Sequence, residues 1–221
     1  MYDGVMERKI KISIGEYYHI YNRGVEKRNI FQDINDQERF IKLLRLANGQ
    51  KSLVFRSVQG LPLDTIDVGD RLVAVIAYAL MPNHFHLLVR EIVDGGISIY
   101  MEKLLTAYAM YFNKKHSRVG PLFQGTYKAE HVDHDEYLKY LFAYIHLNPI
   151  KLIQPHWKEE GIRHEKKVRQ YLNAYRFSSY PDYVGVQRSE NIILTKHEAP
   201  HYFSHKYTFE EFVHDWLNYQ G

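Results

Sequence analysis

The chain contains no cysteine. Disulfides, cysteine-zinc sites and thiol nucleophiles are therefore excluded, and any metal must be held by His, carboxylate, amide or water. That absence suits a reducing compartment. Long apolar runs are lacking too. No stretch approaches the roughly 18 uninterrupted apolar residues of a membrane span, and the opening MYDGVMERKIKISIGEYY carries charges where a signal peptide needs an apolar run. The expectation is a soluble, cytoplasmic protein with no membrane partner. Nor does one sign of charge dominate: 29 Lys and Arg stand against 26 Asp and Glu, and the resulting +3 is too small to identify a polyanion partner by itself. There are no internal repeats and no low-complexity tract.

What is present is enough for a folded protein. At 221 residues with 45% hydrophobic content the chain can bury a real core. Its basic residues cluster: Lys151, Lys158, Arg163, Lys166, Lys167 and Arg169 fall in one polar stretch, and Lys114, Lys115, His116 and Arg118 form a second group. Each reads either as solvated surface or as a phosphate-binding patch. Nineteen tyrosines add aromatic faces on which bases could stack.

Tyr17 to Arg23 is rich in aromatic and β-branched types and ends at Gly24, which predicts a first strand and a loop. Asn35 or Asp36 can cap a helix whose apolar stripe is Phe40, Ile41, Leu43 and Leu44. A short strand is expected at Leu53 to Ser57, within an irregular stretch reaching Asp70. Arg71 to Leu80 is nearly continuous apolar sequence, as in a strand covered on both faces. Met81, Pro82 and Asn83 break it before a second strand, His84 to Glu91, so the two should pair as a hairpin. Met101, Leu104, Leu105, Tyr108, Tyr111 and Phe112 mark a long helix ending near His116. Asp133 and Glu136 have the form of a capping box for a helix that must stop near Asn148, because Pro149 disfavours helical geometry before it. Beyond it come a helix around Glu165 to Tyr175, a turn at Ser178 to Gly185 and a last helix from Thr208 to Asn218. This order suggests an α+β, ferredoxin-like sandwich with a central antiparallel sheet over residues 1–150. Residues 151–221 then form a basic accessory segment packed on or extending the same domain.

In His84-Phe85-His86 the strand period of two sends both imidazoles to one face and Phe85 to the other, a bidentate grip for a metal. Two half-exposed histidines beside a turn would look the same. In Tyr144-Ile145-His146-Leu147-Asn148-Pro149, residues four apart share a helix face. Asn148 could supply an amide oxygen as third ligand, with the Tyr144 phenol one turn away and His146 pointing elsewhere. An amphipathic seam of Tyr137, Tyr140 and Tyr144 is the plain alternative.

The ordered stretches Tyr18 to Gly24, Ala79 to Leu88, Gly120 to Gly125, Tyr144 to Pro149 and Phe177 to Tyr180 resemble the landmarks of REP-associated tyrosine transposases, of the single-tyrosine HUH class. The resemblance covers roughly residues 17–185, and its order and spacing are more specific than any one motif. It implies that His84 and His86 bind a divalent metal, Mg²⁺ or Mn²⁺, that Tyr144 is the nucleophile, and that Asn148 stands where related enzymes place a third polar ligand. One position departs: the family usually has Arg after the Gln-Gly of the loop, where this chain has Thr126, and Lys128 would compensate only as a point charge.

The implied reaction is metal-dependent cleavage and joining of single-stranded DNA beside an imperfect hairpin, through a 5′-phosphotyrosine. The resemblance implies a bacterial enzyme, nucleoid-associated when on DNA, with a homodimer as a further expectation. A phenol with a pKa near 10 is a poor nucleophile at neutral pH and needs a nearby cation. Candidate DNA contacts are Tyr18, Tyr21, Arg23, Lys128 and the two basic clusters, Lys114, Lys115 and Arg118, and Lys158, Arg163, Lys166, Lys167 and Arg169. Two other readings stay open: a non-catalytic nucleic-acid-binding module on the same kind of sheet, and a metal-dependent phosphodiesterase whose attacking group is water.

Overall fold

A computed structural model describes residues 11–51, 54–199, 209, 211–213 and 215–216. Its strands are β1 (Tyr17–Arg23), β2 (Val73–Met81), β3 (His84–Glu91) and β4 (Lys128–Val132), joined antiparallel in the order β2-β3-β1-β4. The helices are α1 (Ile34–Ala47), α2 (Phe55–Val58), α3 (Gly96–Lys115), α4 (Asp135–Leu147), α5 (Trp157–Glu160), α6 (Glu165–Ala174) and α7 (Tyr180–Tyr183). With α1 between β1 and β2 and α3 between β3 and β4, this is the ferredoxin-like α+β sandwich expected from the element order. The central hairpin also lies where the apolar run and its Met81-Pro82-Asn83 break put it.

One sheet face is covered by α1 and α3, which pack on each other. Phe85 points to that side, 5.1 Å from Phe40 and 6.2 Å from Phe123 between ring centres. α4 lies against β2 and β3 on the opposite face. Every residue of β2 is buried, because helices flank it on both sides. Glu91, at the end of β3, accepts the Ile97 amide at 2.8 Å and so caps the first turn of α3. Gly96 opens that helix with its Cα against the next strand: a Cβ there would stand 2.2 Å from the Leu72 carbonyl oxygen, which only glycine avoids.

The structure departs from the local signals in three places. Asp33, not Asn35 or Asp36, caps α1, accepting the Asp36 amide at 3.0 Å, while the buried Asp36 carboxylate instead accepts the Gln32 amide at 2.9 Å and pairs with Lys115. The strand expected at Leu53 to Ser57 is helix from Phe55 on. α4 begins at Asp135 without a side-chain cap, because Asp133 takes the His134 ring at 2.6 Å instead of closing a capping box.

The segment after Pro149 closes the exposed edge of β2. The Leu80 amide donates to Phe177 (2.9 Å), Ser179 to the Tyr78 carbonyl (2.9 Å) and Thr195 to Val75 (2.8 Å). Val168, Leu172, Tyr180, Tyr183 and Ile193 join the same apolar core as the sheet. An open edge strand would otherwise invite pairing with another chain. Of the helix expected from Thr208 to Asn218, only residues 209, 211–213 and 215–216 are described, all helical; the rest lies outside the described residues. Among the described residues no helix is long and apolar enough to cross a membrane.

Candidate active site

Strand alternation builds the site. On the face turned to α4, register pairs Arg23 with His84, Tyr21 with His86 and with Lys128, and His19 with Glu130. Cross-strand partners share a face, so three strands contribute one contiguous polar surface. α4 crosses it and carries Tyr144, whose ring lies edge-on to His86 at 5.3 Å between centres. One turn on, Asn148 donates its backbone amide to the Tyr144 carbonyl, which continues the helical geometry and keeps the two side chains on one side.

His84 and His86 are held differently. The His84 ring nitrogen Nδ1 meets the Asn83 amide oxygen at 2.6 Å, and His86 Nδ1 meets His19 Nε2 at 2.9 Å. His86 Nε2 is buried with no hydrogen-bond partner, and so are both amide atoms of Asn148. Orphaned buried polar atoms cost roughly 1–3 kcal/mol each. Their position is the observation that suits a cation: two imidazole Nε2 atoms and an amide oxygen are a hard-to-borderline donor set for Mg²⁺ or Mn²⁺ completed by water. Among the described residues no group of three His, Asp or Glu side chains could hold a metal alone, so an amide would have to complete the set.

Burial keeps these imidazoles neutral. It pushes His84 and His19 down to about 4, with Lys151 and Arg23 adding to the effect on His84 and Glu130 opposing it on His19. His86 is held well below the usual range by burial first, then by His19, His84 and Lys151. Burial raises Tyr144; the Asn148 amide pulls the other way without forming a hydrogen bond of good geometry. Tyr21 rises to about 12 through burial and its 2.6 Å hydrogen bond to Glu130. Two ammonium groups stand over the Tyr144 ring, Lys158 at 4.7 Å and Lys151 at 5.9 Å from its centre.

The expected DNA contacts divide. Tyr21, Arg23, Lys128 and Lys158 lie on or beside this surface. Tyr18 does not: it is 1% exposed and packs in the core. Residues 18 and 21 are three apart, so on a strand they must face opposite sides. Lys115 is bound to Asp33 and Asp36 at 2.7 Å each and cannot reach a phosphate without breaking that pair. Lys114 and Arg118 sit beside it at the end of α3, on the other face of the sheet, with Arg118 donating to Asn113 at 2.9 Å. Between α5 and α6, Arg163 is tied to Glu160 (2.6 Å), and within α6 Arg169 is tied to Glu165 (2.7 Å), while Lys166 and Lys167 are exposed. His146 is a core residue: its Nδ1 donates to the Phe142 carbonyl at 2.9 Å and its Nε2 accepts from Ser179 at 2.7 Å.

Two members of this surface, His19 and Glu130, are not among the residues that the sequence singles out. The available signal for His19 is its alternation with Tyr21 in β1; Glu130 has none, because nothing local marks its strand.

Fold and site together define a ferredoxin-like sheet with a histidine pair facing a helical tyrosine. The profile of the family described as "Transposase IS200 like" matches residues 69–148, which hold His84, His86, Tyr144 and Asn148. Over that stretch the chain is similar to IS200-like transposases. A solved structure described as "Structure of the REP associates tyrosine transposase bound to a REP hairpin" aligns with 83% of this chain and 89% of its own, at 12% identity and a TM-score of 0.43. No curated protein matches the chain.

Proposed function

We propose that this protein cuts and rejoins single-stranded DNA next to a REP-like hairpin, with Tyr144 as the nucleophile. The placement of the Tyr144 ring against His86, one helical turn from Asn148, carries this reading. His84, His86 and Asn148 would hold a divalent cation, Mg²⁺ or Mn²⁺. When bound there it would supply Lewis-acid polarisation of a phosphate oxygen.

The chain's own residues do the rest. The Tyr144 oxygen forms a bond to phosphorus as the bond to the 3′ oxygen breaks. The proton lost by the phenol is balanced by the one gained by the 3′-hydroxyl, leaving a 5′-phosphotyrosine. Phosphodiester energy is kept in that link, so a second 3′-hydroxyl can reverse the step. With its pKa raised by burial, Tyr144 is a neutral phenol at neutral pH. Lys151 and Lys158 beside its ring offer positive charge to the incoming phosphate. Tyr21, Arg23 and Lys128 share the sheet face that holds His84 and His86, where they would combine stacking with phosphate contacts to the bound strand.

The test is adduct trapping. Wild-type protein, Mn²⁺ and single-stranded DNA carrying a REP-type hairpin should give a protein–DNA species that survives denaturant and maps to Tyr144. Tyr144→Phe, lacking one oxygen, should bind the same DNA and give neither cleavage nor adduct. Cleavage by wild type without any adduct would assign the attack to water instead.

A further inference from the structure

The hydrogen bond between His19 Nε2 and His86 Nδ1, at 2.9 Å, joins two imidazoles, and each can only donate if the other accepts. Two polarities are open to such a pair. They differ in which His86 nitrogen carries the proton, and so in whether its Nε2 presents a lone pair or an N–H to the space beside His84 and Asn148.

The far end of the chain of contacts selects one of them. His19 Nδ1 faces the Glu130 carboxylate at 3.6 Å. Glu130 in turn accepts the hydroxyl of Tyr21 at 2.6 Å and that of Tyr137 at 3.2 Å. Partial burial would raise its pKa, but the Tyr21 bond, the neighbouring His19 and the Tyr137 bond together lower it, so Glu130 is ionised at neutral pH. An ionised carboxylate accepts and cannot donate. At 3.6 Å it acts on His19 chiefly through charge, favouring the tautomer that turns an N–H, not a lone pair, toward it. His19 Nε2 is then the acceptor, His86 Nδ1 the donor, and His86 Nε2 bare. That last atom is the one buried without a partner.

We infer that Glu130 and His19 are positioning residues that fix His86 as the Nδ1–H tautomer and aim its Nε2 lone pair at the cation position. The inference rests on the metal site of the proposed function. His84 reaches the same tautomer by a separate device, since the Asn83 amide oxygen at 2.6 Å accepts its Nδ1–H. Ligand orientation through the second ring nitrogen is worth about 10- to 100-fold in metal affinity where it has been removed in other sites.

The experiment uses the full chain in two measurements. Nitrogen-15 NMR of histidine-labelled, metal-free protein at pH 7 reads the His86 tautomer, and Mn²⁺ titration followed by electron paramagnetic resonance reads affinity. Wild type should show His86 protonated on Nδ1. His19→Ala should lose that preference and bind Mn²⁺ about 10- to 100-fold more weakly. His19→Gln, whose amide oxygen can still accept the Nδ1–H, should recover most of the affinity, which a purely structural role for the ring would not produce. Glu130→Gln should fall between them. An Nε2–H tautomer in wild type would overturn the inference, as would wild-type Mn²⁺ affinity in a folded His19→Ala. Should His19→Ala fail to fold, the wild-type tautomer and the Gln variant decide. If wild type binds no Mn²⁺, the metal site itself is wrong, while the tautomer measurement still settles the polarity of the His19–His86 pair.

Discussion

The imidazole of His86 stands edge-on to the ring of Tyr144, with centres 5.3 Å apart and planes at 80°. The proposed metal ligand and the proposed nucleophile therefore also pack each other. His86 is 6% exposed, whereas His84 is only half-buried. His86→Ala should therefore abolish cleavage and also destabilise the fold by about 1–3 kcal/mol, since it opens a gap beside Tyr144 and strips His19 of its partner. His84→Ala should abolish cleavage with a smaller change in melting temperature. Thermal melts run beside strand-cleavage gels check this; equal melts for the two variants would remove the packing role of His86.

Asn148→Ala should behave in the opposite sense. Both amide atoms are buried and unpartnered, so their removal should leave metal-free stability unchanged or slightly raised. The extra stability that Mn²⁺ confers on wild type should shrink in the variant, because a cation bound only by the folded state stabilises in proportion to its affinity. Melts with and without Mn²⁺ measure both effects, and an equal Mn²⁺-induced shift in the variant would exclude Asn148 as a ligand.

Acid should weaken the fold before it weakens cation binding. His19 and His84 stay neutral in the folded protein down to about 4, and His146, enclosed in the core, down to about 3. The unfolded chain protonates its histidines near 6.5. The unfolded state thus binds more protons in that window, so their contribution is fully present above about 6.5 and is lost as pH falls toward 4. At its steepest each histidine costs about 1.4 kcal/mol per pH unit. Urea melts between roughly pH 7.5 and 5.5, where carboxylates remain ionised, should show the decline, while Mn²⁺ affinity of the folded protein stays nearly flat. A midpoint that does not move would mean that these rings titrate normally in the fold.

Salt dependence should separate solvated cations from paired ones. Replacing exposed Lys158, Lys166 or Lys167 by Ala should weaken single-stranded DNA binding and lower the salt slope by roughly 0.7 for each phosphate that is no longer neutralised. Arg163→Ala and Arg169→Ala should do less, since each charge already faces a glutamate, and Lys115→Ala should leave the slope alone while loosening the Asp33 and Asp36 cluster. Titrations at several salt concentrations give the slopes; a full-sized drop for Lys115→Ala would place DNA on the α3 side of the sheet.

Tyr18 and Tyr21 make the sharpest pair. Tyr18→Ala removes a buried ring and should cost about 3–5 kcal/mol. Tyr21→Ala, at a half-buried position, should cost less stability and more DNA affinity. Melts and binding titrations on the two variants decide the assignment, and a DNA-binding defect in a folded Tyr18→Ala would reverse it.

That pair also shows where the sequence can be read and where it cannot. Period-two alternation places His84, Phe85 and His86, and the four-residue helical repeat places Tyr144 with Asn148, because in both cases the partners are near neighbours in the chain. The same alternation excludes Tyr18 from the face that holds Tyr21, and selects His19 in its place. Glu130 is different: its role depends on β4 lying beside β1, and pairing between distant segments leaves no mark in either segment. The failed capping box at Asp133 is a case where a neighbouring side chain, His134, competes successfully for a carboxylate.

The strand order has a consequence for the life of the chain. β1 is made first, yet His19 meets His86 67 residues later, and the tyrosine that closes the site comes from a helix made later still. The surface as a whole needs β1, β3, β4 and α4 together, so a nascent or partly unfolded chain holds the separate groups without their arrangement, and pairings so far apart in sequence form late. If Tyr144 cuts DNA as proposed, a phenol placed only by the completed topology would leave unfinished or damaged copies of the protein chemically harmless to the genome around them.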